Sequence, residues 1–232
     1  MTGAVPPGSR PGLSLAWYFD FISPYSYLQF AAHPDLFELP RLAIKPLVFA
    51  GLLAHWGQKG PVEIPKKRRQ TYRMIAWGAQ QRGIPLAFPP AHPFNPVPAL
   101  RLALALGATR PMLPVARTIF DFLWKEGRSL TADWPLLCRR FGLSPSDAKA
   151  LIAAQPVKDA LRANGDAAIA LGIYGVPTFA ARLAGPPATT QLFWGEDATG
   201  LFRSWLADPA LFDSDSMRAL DSLPVAAARK GA

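Results

Sequence analysis

The sequence predicts an α/β protein in which a βαβ unit and an αββα unit flank a large all-helical insertion. Three observations carry that prediction. An alternating apolar run over residues 13–20 leads straight into a Ser-Pro helix start. Roughly a hundred residues then show helical periodicity broken by proline and glycine. The chain returns to two short β-rich runs after Pro177.

In the first strand, Leu13, Leu15, Trp17 and Phe19 recur at every second position, the period of a strand with one buried face. Ser23 is then placed as a helix N-cap and Pro24 at the first helical position, where a missing N–H is no loss. The helix continues through Tyr27, Leu28, Phe30 and Ala31 towards Leu36, and residues 42–49 read as a second strand. A strand–helix–strand connection makes these two strands parallel, with a right-handed crossover. Helices are expected near residues 65–82, 98–106, 111–125, 133–141 and 144–153. Another helix follows over 157–172. Strands at 178–182 and 190–193 are joined by a Gly-Pro-Pro turn, and a last helix covers 197–206. The polar tail, 208–232, is expected to wrap the surface or stay loose. Residues 13–50 and 155–207 thus form one domain, 51–154 a helical insertion domain, and 208–232 a C-terminal tail. Joining the flanking units without the insertion gives a thioredoxin-like core.

Composition narrows the function. The chain has 232 residues, half of them hydrophobic and 18% charged, which allows a substantial core and argues against wholesale disorder. No apolar run reaches the roughly 20 residues that span a bilayer. The longest, 99–108, is interrupted by Arg101. The Gly- and Pro-rich residues 1–12 lack the charged-then-apolar order of a secretory signal. A single cysteine, Cys138, permits neither an intramolecular disulfide nor a CxxC redox pair, and fits a reducing, cytoplasmic compartment. His33, His55 and His92 lie far apart, and no Cys/His cluster has metal-ligand spacing, so no metal is expected. The net charge of +9 suits nucleic acid or small anions alike. Its densest cluster, Lys66-Lys67-Arg68-Arg69 with Arg73, carries no nucleic-acid motif and reads as a solvated helix face. Neither a nucleic acid nor a membrane is expected as partner.

Three segments carry chemistry. The first, Phe19-Asp20-Phe21-Ile22-Ser23-Pro24-Tyr25-Ser26-Tyr27, ends a strand and opens a helix, where free N–H groups make a positive pole. In a dithiol protein that pole lowers the pKa of a cysteine; here serines stand at 23 and 26. A hydroxyl stays neutral near pH 7 and donates a hydrogen bond to an anion brought from outside, such as the thiolate of a bound thiol cofactor. The second segment is Gly175-Val176-Pro177-Thr178. A proline before a strand cannot donate to the ladder. In a thioredoxin-like arrangement this proline is cis and faces the helix start, leaving the Val176 N–H and C=O to pair with an extended peptide. The third, Phe193-Trp194-Gly195-Glu196-Asp197, opens the last helix, whose free N–H groups suit a carboxylate. Asp197 either caps that helix or accepts an amino group from a ligand.

In this order, with a helical block between them, Phe19-Asp20-Phe21-x-Ser23-Pro24-Tyr25-Ser26-Tyr27-Leu28, Gly175-Val176-Pro177-Thr178-Phe179 and Trp194-Gly195-x-Asp197 resemble the 2-hydroxychromene-2-carboxylate isomerases. Those enzymes belong with the kappa-class glutathione transferases in the DsbA-like branch of the thioredoxin superfamily. The resemblance spans residues 15–206. It implies glutathione as cofactor, a homodimer, and a conjugated, aromatic-derived acid as small-molecule substrate. It assigns Ser23 to the glutathione sulfur with Pro24 and Tyr25 beside it, Val176 and Pro177 to the cysteinyl backbone, and Trp194, Gly195, Glu196 and Asp197 to the γ-glutamyl end. The loop His92-Pro93-Phe94-Asn95 takes the place of a substrate wall, with His92 and Asn95 as the contacts. Residues 51–63 depart from the pattern that holds the substrate carboxylate in such isomerases. Lys45, Lys59 and Arg69 stand as alternative anchors. The implied reaction is cis-trans isomerisation through reversible thiolate addition; glutathione conjugation and non-catalytic peptide binding are the alternatives. Ser26, one helical turn beyond Ser23, receives no role.

Overall fold

A computed structural model describes residues 10–185 and 189–227 of the chain. Its four strands form one mixed sheet in the order β2-β1-β3-β4. β1 (Leu13–Phe19) and β2 (Leu42–Pro46) run parallel, with α1 (Pro24–Ala32) in the crossover. β3 (Thr178–Leu183) lies antiparallel to β1, and β4 (Thr190–Trp194) antiparallel to β3. The βαβ and ββα units therefore share one sheet, although well over a hundred residues separate them. This is the expected thioredoxin-like core with a helical insertion. Of the Gly-Pro-Pro turn, Pro186 and Pro187 lie outside the described residues, as do residues 1–9 and 228–232 at the ends.

The alternation in β1 sorts the two faces of the sheet. Leu13, Leu15, Trp17 and Phe19 enter the main core with Phe30, Phe37, Phe120 and Phe179. The Trp17 and Phe19 rings stack at 4.4 Å, and Phe179 stacks on Phe202 at 4.3 Å. Each such fully buried side chain contributes about 1.5–3 kcal/mol relative to exposure. Tyr18 points to the other face, into a smaller cluster with Leu47, Leu52, Ala168 and Ile173.

Several boundaries differ from the sequence expectation, each for a physical reason. β2 stops at Pro46, and Phe49–His55 forms α2 instead of prolonging the strand. The buried Asp20 carboxylate accepts the Phe49 N–H at 2.8 Å, capping α2 from a distant segment in place of a local cap. The insertion contains α3 (Pro65–Gln81), α4 (Val97–Gly107), α5 (Met112–Phe120), α6 (Trp134–Arg140) and α7 (Pro145–Ala153). The single helix expected over 111–125 is α5 followed by a π-helical turn at Asp121–Lys125. α8 (Gln155–Ala170) starts before Val157, because Pro156 sits comfortably in the first turn. α9 (Thr199–Ala207) starts after Asp197. The tail is partly built: a 3-10 turn at Pro209–Asp213 brings the Phe212 ring to 6.1 Å from Phe193, and α10 (Asp215–Asp221) follows. The apolar run at 99–108 is α4, and no helix among the described residues is long and apolar enough to cross a membrane.

Candidate functional site

β1 ends and α1 begins within the four residues Asp20 to Ser23. Ser23 is buried, and its Oγ accepts the Ser26 N–H at 3.2 Å, as an N-cap does. Accepting that bond leaves the hydroxyl hydrogen unspent. Ser26 is fully buried, and its Oγ has no partner among the described residues. Two serine hydroxyls one turn apart therefore retain donor capacity at the positive end of a nine-residue helix. Asp20 closes the turn beneath them, accepting from Ile22 N at 3.0 Å as well as from Phe49. Burial pushes its carboxyl up to about 7, against the opposing pull of the backbone N–H groups of Phe49, Ile22 and Phe21.

The second segment precedes β3. The Val176–Pro177 peptide is cis. Val176 is buried, and among the described residues neither its N–H nor its C=O takes part in a backbone hydrogen bond of the protein. Thr178 Oγ1 donates to the Gly175 carbonyl at 2.8 Å, and the Pro177 carbonyl accepts from Gly195 N at 2.8 Å. That last bond joins the proline loop to the third segment. There the half-exposed Trp194 lies edge-on to Tyr174 at 5.0 Å and covers Gly175, where any Cβ would collide with the indole. Gly195 has φ 97°, and a Cβ there would also run into the Asp197 carboxylate.

A residue absent from the sequence expectation holds this loop. Gln29, fully buried in α1, accepts from Trp17 Nε1 at 2.7 Å. Its amide nitrogen donates to the Gly195 carbonyl at 3.1 Å and to Thr199 Oγ1 at 2.9 Å. The helix that carries Ser23 thus fixes the loop that carries Trp194 and Asp197. The available signal was a lone amide between the apolar Leu28 and Phe30.

Glu196 and Asp197 have separate fates. Glu196 pairs with Arg82 at the end of α3 and lies 3.9 Å from His33 Nε2. Asp197 does not cap α9: Ala198 takes the cap position, no side chain caps it, and Thr199 Oγ1 donates back to the Glu196 carbonyl at 2.6 Å. Tyr25 stands close enough to feel both acids. Burial raises its phenol pKa first, and the charges of Asp197 and Glu196 raise it further. Tyr25 and Gln29 thus bring α1 beside the 194–197 loop, and the Gly195–Pro177 bond brings that loop beside the cis proline.

The geometry does not treat the remaining candidates alike. His92 is spent on the scaffold: its Nε2 lies 2.8 Å from the Ile22 carbonyl and its Nδ1 2.7 Å from Tyr72 Oη. A carbonyl only accepts, so Nε2 carries the hydrogen. Tyr72 Oη also donates to the His92 carbonyl at 3.0 Å, and burial lowers the His92 pKa, with the Ile22 hydrogen bond opposing it. Asn95 is exposed, and its Oδ1 accepts Val97 N at 3.1 Å where α4 begins. Lys45 pairs in register with Tyr18, so it shares the face of the sheet opposite the Phe19–Phe30 core. Lys59 and Arg69 are exposed, beyond α2 and on α3. Cys138 is buried in α6, and burial raises its thiol pKa. Among the described residues no group of three His, Cys, Asp or Glu is placed to hold a metal ion.

Comparison with known proteins agrees with this layout. A family model described as a DSBA-like thioredoxin domain matches residues 14–207. Glutathione S-transferase kappa 2 of Caenorhabditis elegans is 28% identical over 207 residues, covering 83% of this chain and 91% of the relative. Glutathione S-transferase kappa 1 of Rattus norvegicus is 25% identical over 209 residues, covering 84% and 91%. The structure of a 2-hydroxychromene-2-carboxylate isomerase superposes with a TM-score of 0.70 at 22% identity, covering 87% of this chain and 98% of that one, which shows a shared fold.

Proposed function

This chain belongs to the DSBA-like thioredoxin domain family, and from that premise we propose that it is a glutathione-dependent cis-trans isomerase acting on a conjugated, aromatic-derived carboxylic acid. The observation that carries the reading is the pair of buried hydroxyls at Ser23 and Ser26, both with hydrogens to give, at the helix start where a dithiol protein keeps its cysteines. The protein's one thiol is buried elsewhere. Bound glutathione supplies the nucleophilic sulfur that the chain lacks.

The residues present fit that group. Ser23 donates its free hydrogen to a sulfur anion, and the N–H groups at the head of α1 favour the same charge. Val176 offers an N–H and C=O that are unpaired among the described residues to an extended peptide, as an added strand would use them. Asp197, released from capping, accepts from an ammonium group, and Gln29 keeps its loop against α1. Pro24, Tyr25, Pro177, Trp194 and Gly195 shape the walls. His92 acts through position, fixing the Ile22 carbonyl next to Ser23, and Asn95 sets the start of α4. Glu196 anchors the loop to Arg82. We read the protein as a homodimer, as the family resemblance implies, of a reducing compartment, which suits the lone buried Cys138.

Conjugation, with glutathione left on the product, is the second reading, and the similarity to two kappa-class transferases supports it. Calorimetric titration of glutathione tests what the two share: saturable binding is expected, and none at millimolar concentration overturns both. Product analysis with an electrophilic conjugated acid separates them, since isomerisation conserves glutathione while conjugation yields a stable thioether.

A further inference from the structure

A cavity of about 410 Å³ lies between α2, α4 and α8, within the size range of small-molecule sites. None of the residues assigned to glutathione lines it. Its walls are apolar where Leu52, Val97 and Ile169 meet, and three cations, Arg101, Lys158 and Arg162, face a single carboxylate, Asp166. Among the described residues none of the three cations is in an ion pair. The Nε of Arg101 is buried with no acceptor. A buried guanidinium donor without a partner is costly, and an anion in the cavity would relieve it. Gly165 lines the same space, and a Cβ there would meet nothing within 4 Å.

We propose that this cavity binds a small organic carboxylate with an apolar body. The planar fork of Arg101 receives the carboxylate. Lys158, half-buried, and Arg162, exposed at the rim, draw the anion in. The apolar walls favour a carbon skeleton over inorganic phosphate, which has nothing to bury against them. The inference does not depend on glutathione, because the two sets of residues do not overlap.

The test is calorimetric titration of 2-naphthoate into the full chain without glutathione, with 2-naphthalenemethanol and inorganic phosphate as controls. Saturable binding of the acid is expected, weakened about tenfold to a hundredfold by Arg101→Met, as loss of a charge-assisted contact implies. The Lys158→Met/Arg162→Met variant should weaken it several-fold. Gly165→Leu, which favours the helix while filling the cavity, should abolish binding with no loss of thermal stability. If Arg101→Met does not fold, the other two variants decide. Absence of saturable naphthoate binding, binding that these variants leave unchanged, or equal binding of the alcohol or of phosphate overturns the proposal.

Discussion

An anion at the head of α1 would meet two serine hydroxyls and the N–H groups of a helix start, whereas one between α2, α4 and α8 would meet three cationic side chains. Dipoles and hydroxyls make a moderate field that stabilises a thiolate yet leaves it nucleophilic and exchangeable. Full charges suit a group that is already ionised and has only to be held. The two proposed sites thus differ in kind, and the strength of the field is what would separate a reacting anion from a retained one.

Asp20 touches both regions, closing the turn before Ser23 and capping α2, and its variant should move the most. The unfolded carboxyl titrates near 4, while burial holds the folded one near 7. Between those values the native state carries the extra proton, so this group's contribution to stability falls as pH rises through the window and levels off above about 7. The fall amounts to up to about 4 kcal/mol. Urea unfolding from pH 4 to 8 should show it as a difference in slope between wild type and Asp20→Asn; parallel profiles would refute it. Gln29→Leu, similar in shape but without the amide, leaves Trp17 Nε1, the Gly195 carbonyl and Thr199 Oγ1 short of a partner. It should cost about 3 kcal/mol of stability and weaken glutathione binding, while leaving naphthoate binding in the cavity untouched. A loss under about 1 kcal/mol would mean that the 195–199 loop is held some other way.

Ser23→Ala should remove about 2–3 kcal/mol of transition-state stabilisation, read as a roughly 30- to 150-fold drop in kcat/KM. Ser26→Ala replaces a hydroxyl with no partner among the described residues, so stability should hold within about 0.5 kcal/mol. If its kcat/KM falls as far as that of Ser23→Ala, both hydroxyls donate in the reaction. The smallest effect belongs to Arg82→Gln. Its pair with Glu196 is partly solvent-exposed, so thermal unfolding should register less than about 1 kcal/mol.

What was legible in the chain was local. The alternation from Leu13 to Phe19, the Ser23 cap with Pro24 behind it, and the proline at 177 all act within a few residues, and each stands where it was expected. The second strand was overextended because its end is decided by Asp20, 29 residues from Phe49 in sequence. Asp197 was open to two roles, helix cap or ligand contact; the structure removes the first, starting α9 two residues later and turning Thr199 back to Glu196. His92 read as a substrate contact, yet both its nitrogens are taken up by Ile22 and Tyr72.

By itself, the sequence determined the βαβ and αββα units, the helical character of the block between them, and the replacement of a thiol pair by serines. These follow from side-chain period, capping chemistry and the identity of single residues, all of which operate over one or two turns. Only the tertiary structure decided that Gln29 holds a loop 166 residues away, that Arg82 meets Glu196 across 114 residues, and that Arg101, Lys158 and Arg162 face one cavity. Such pairings depend on how helices pack around a shared sheet, and no local pattern encodes which polar side chain will find itself buried opposite which partner.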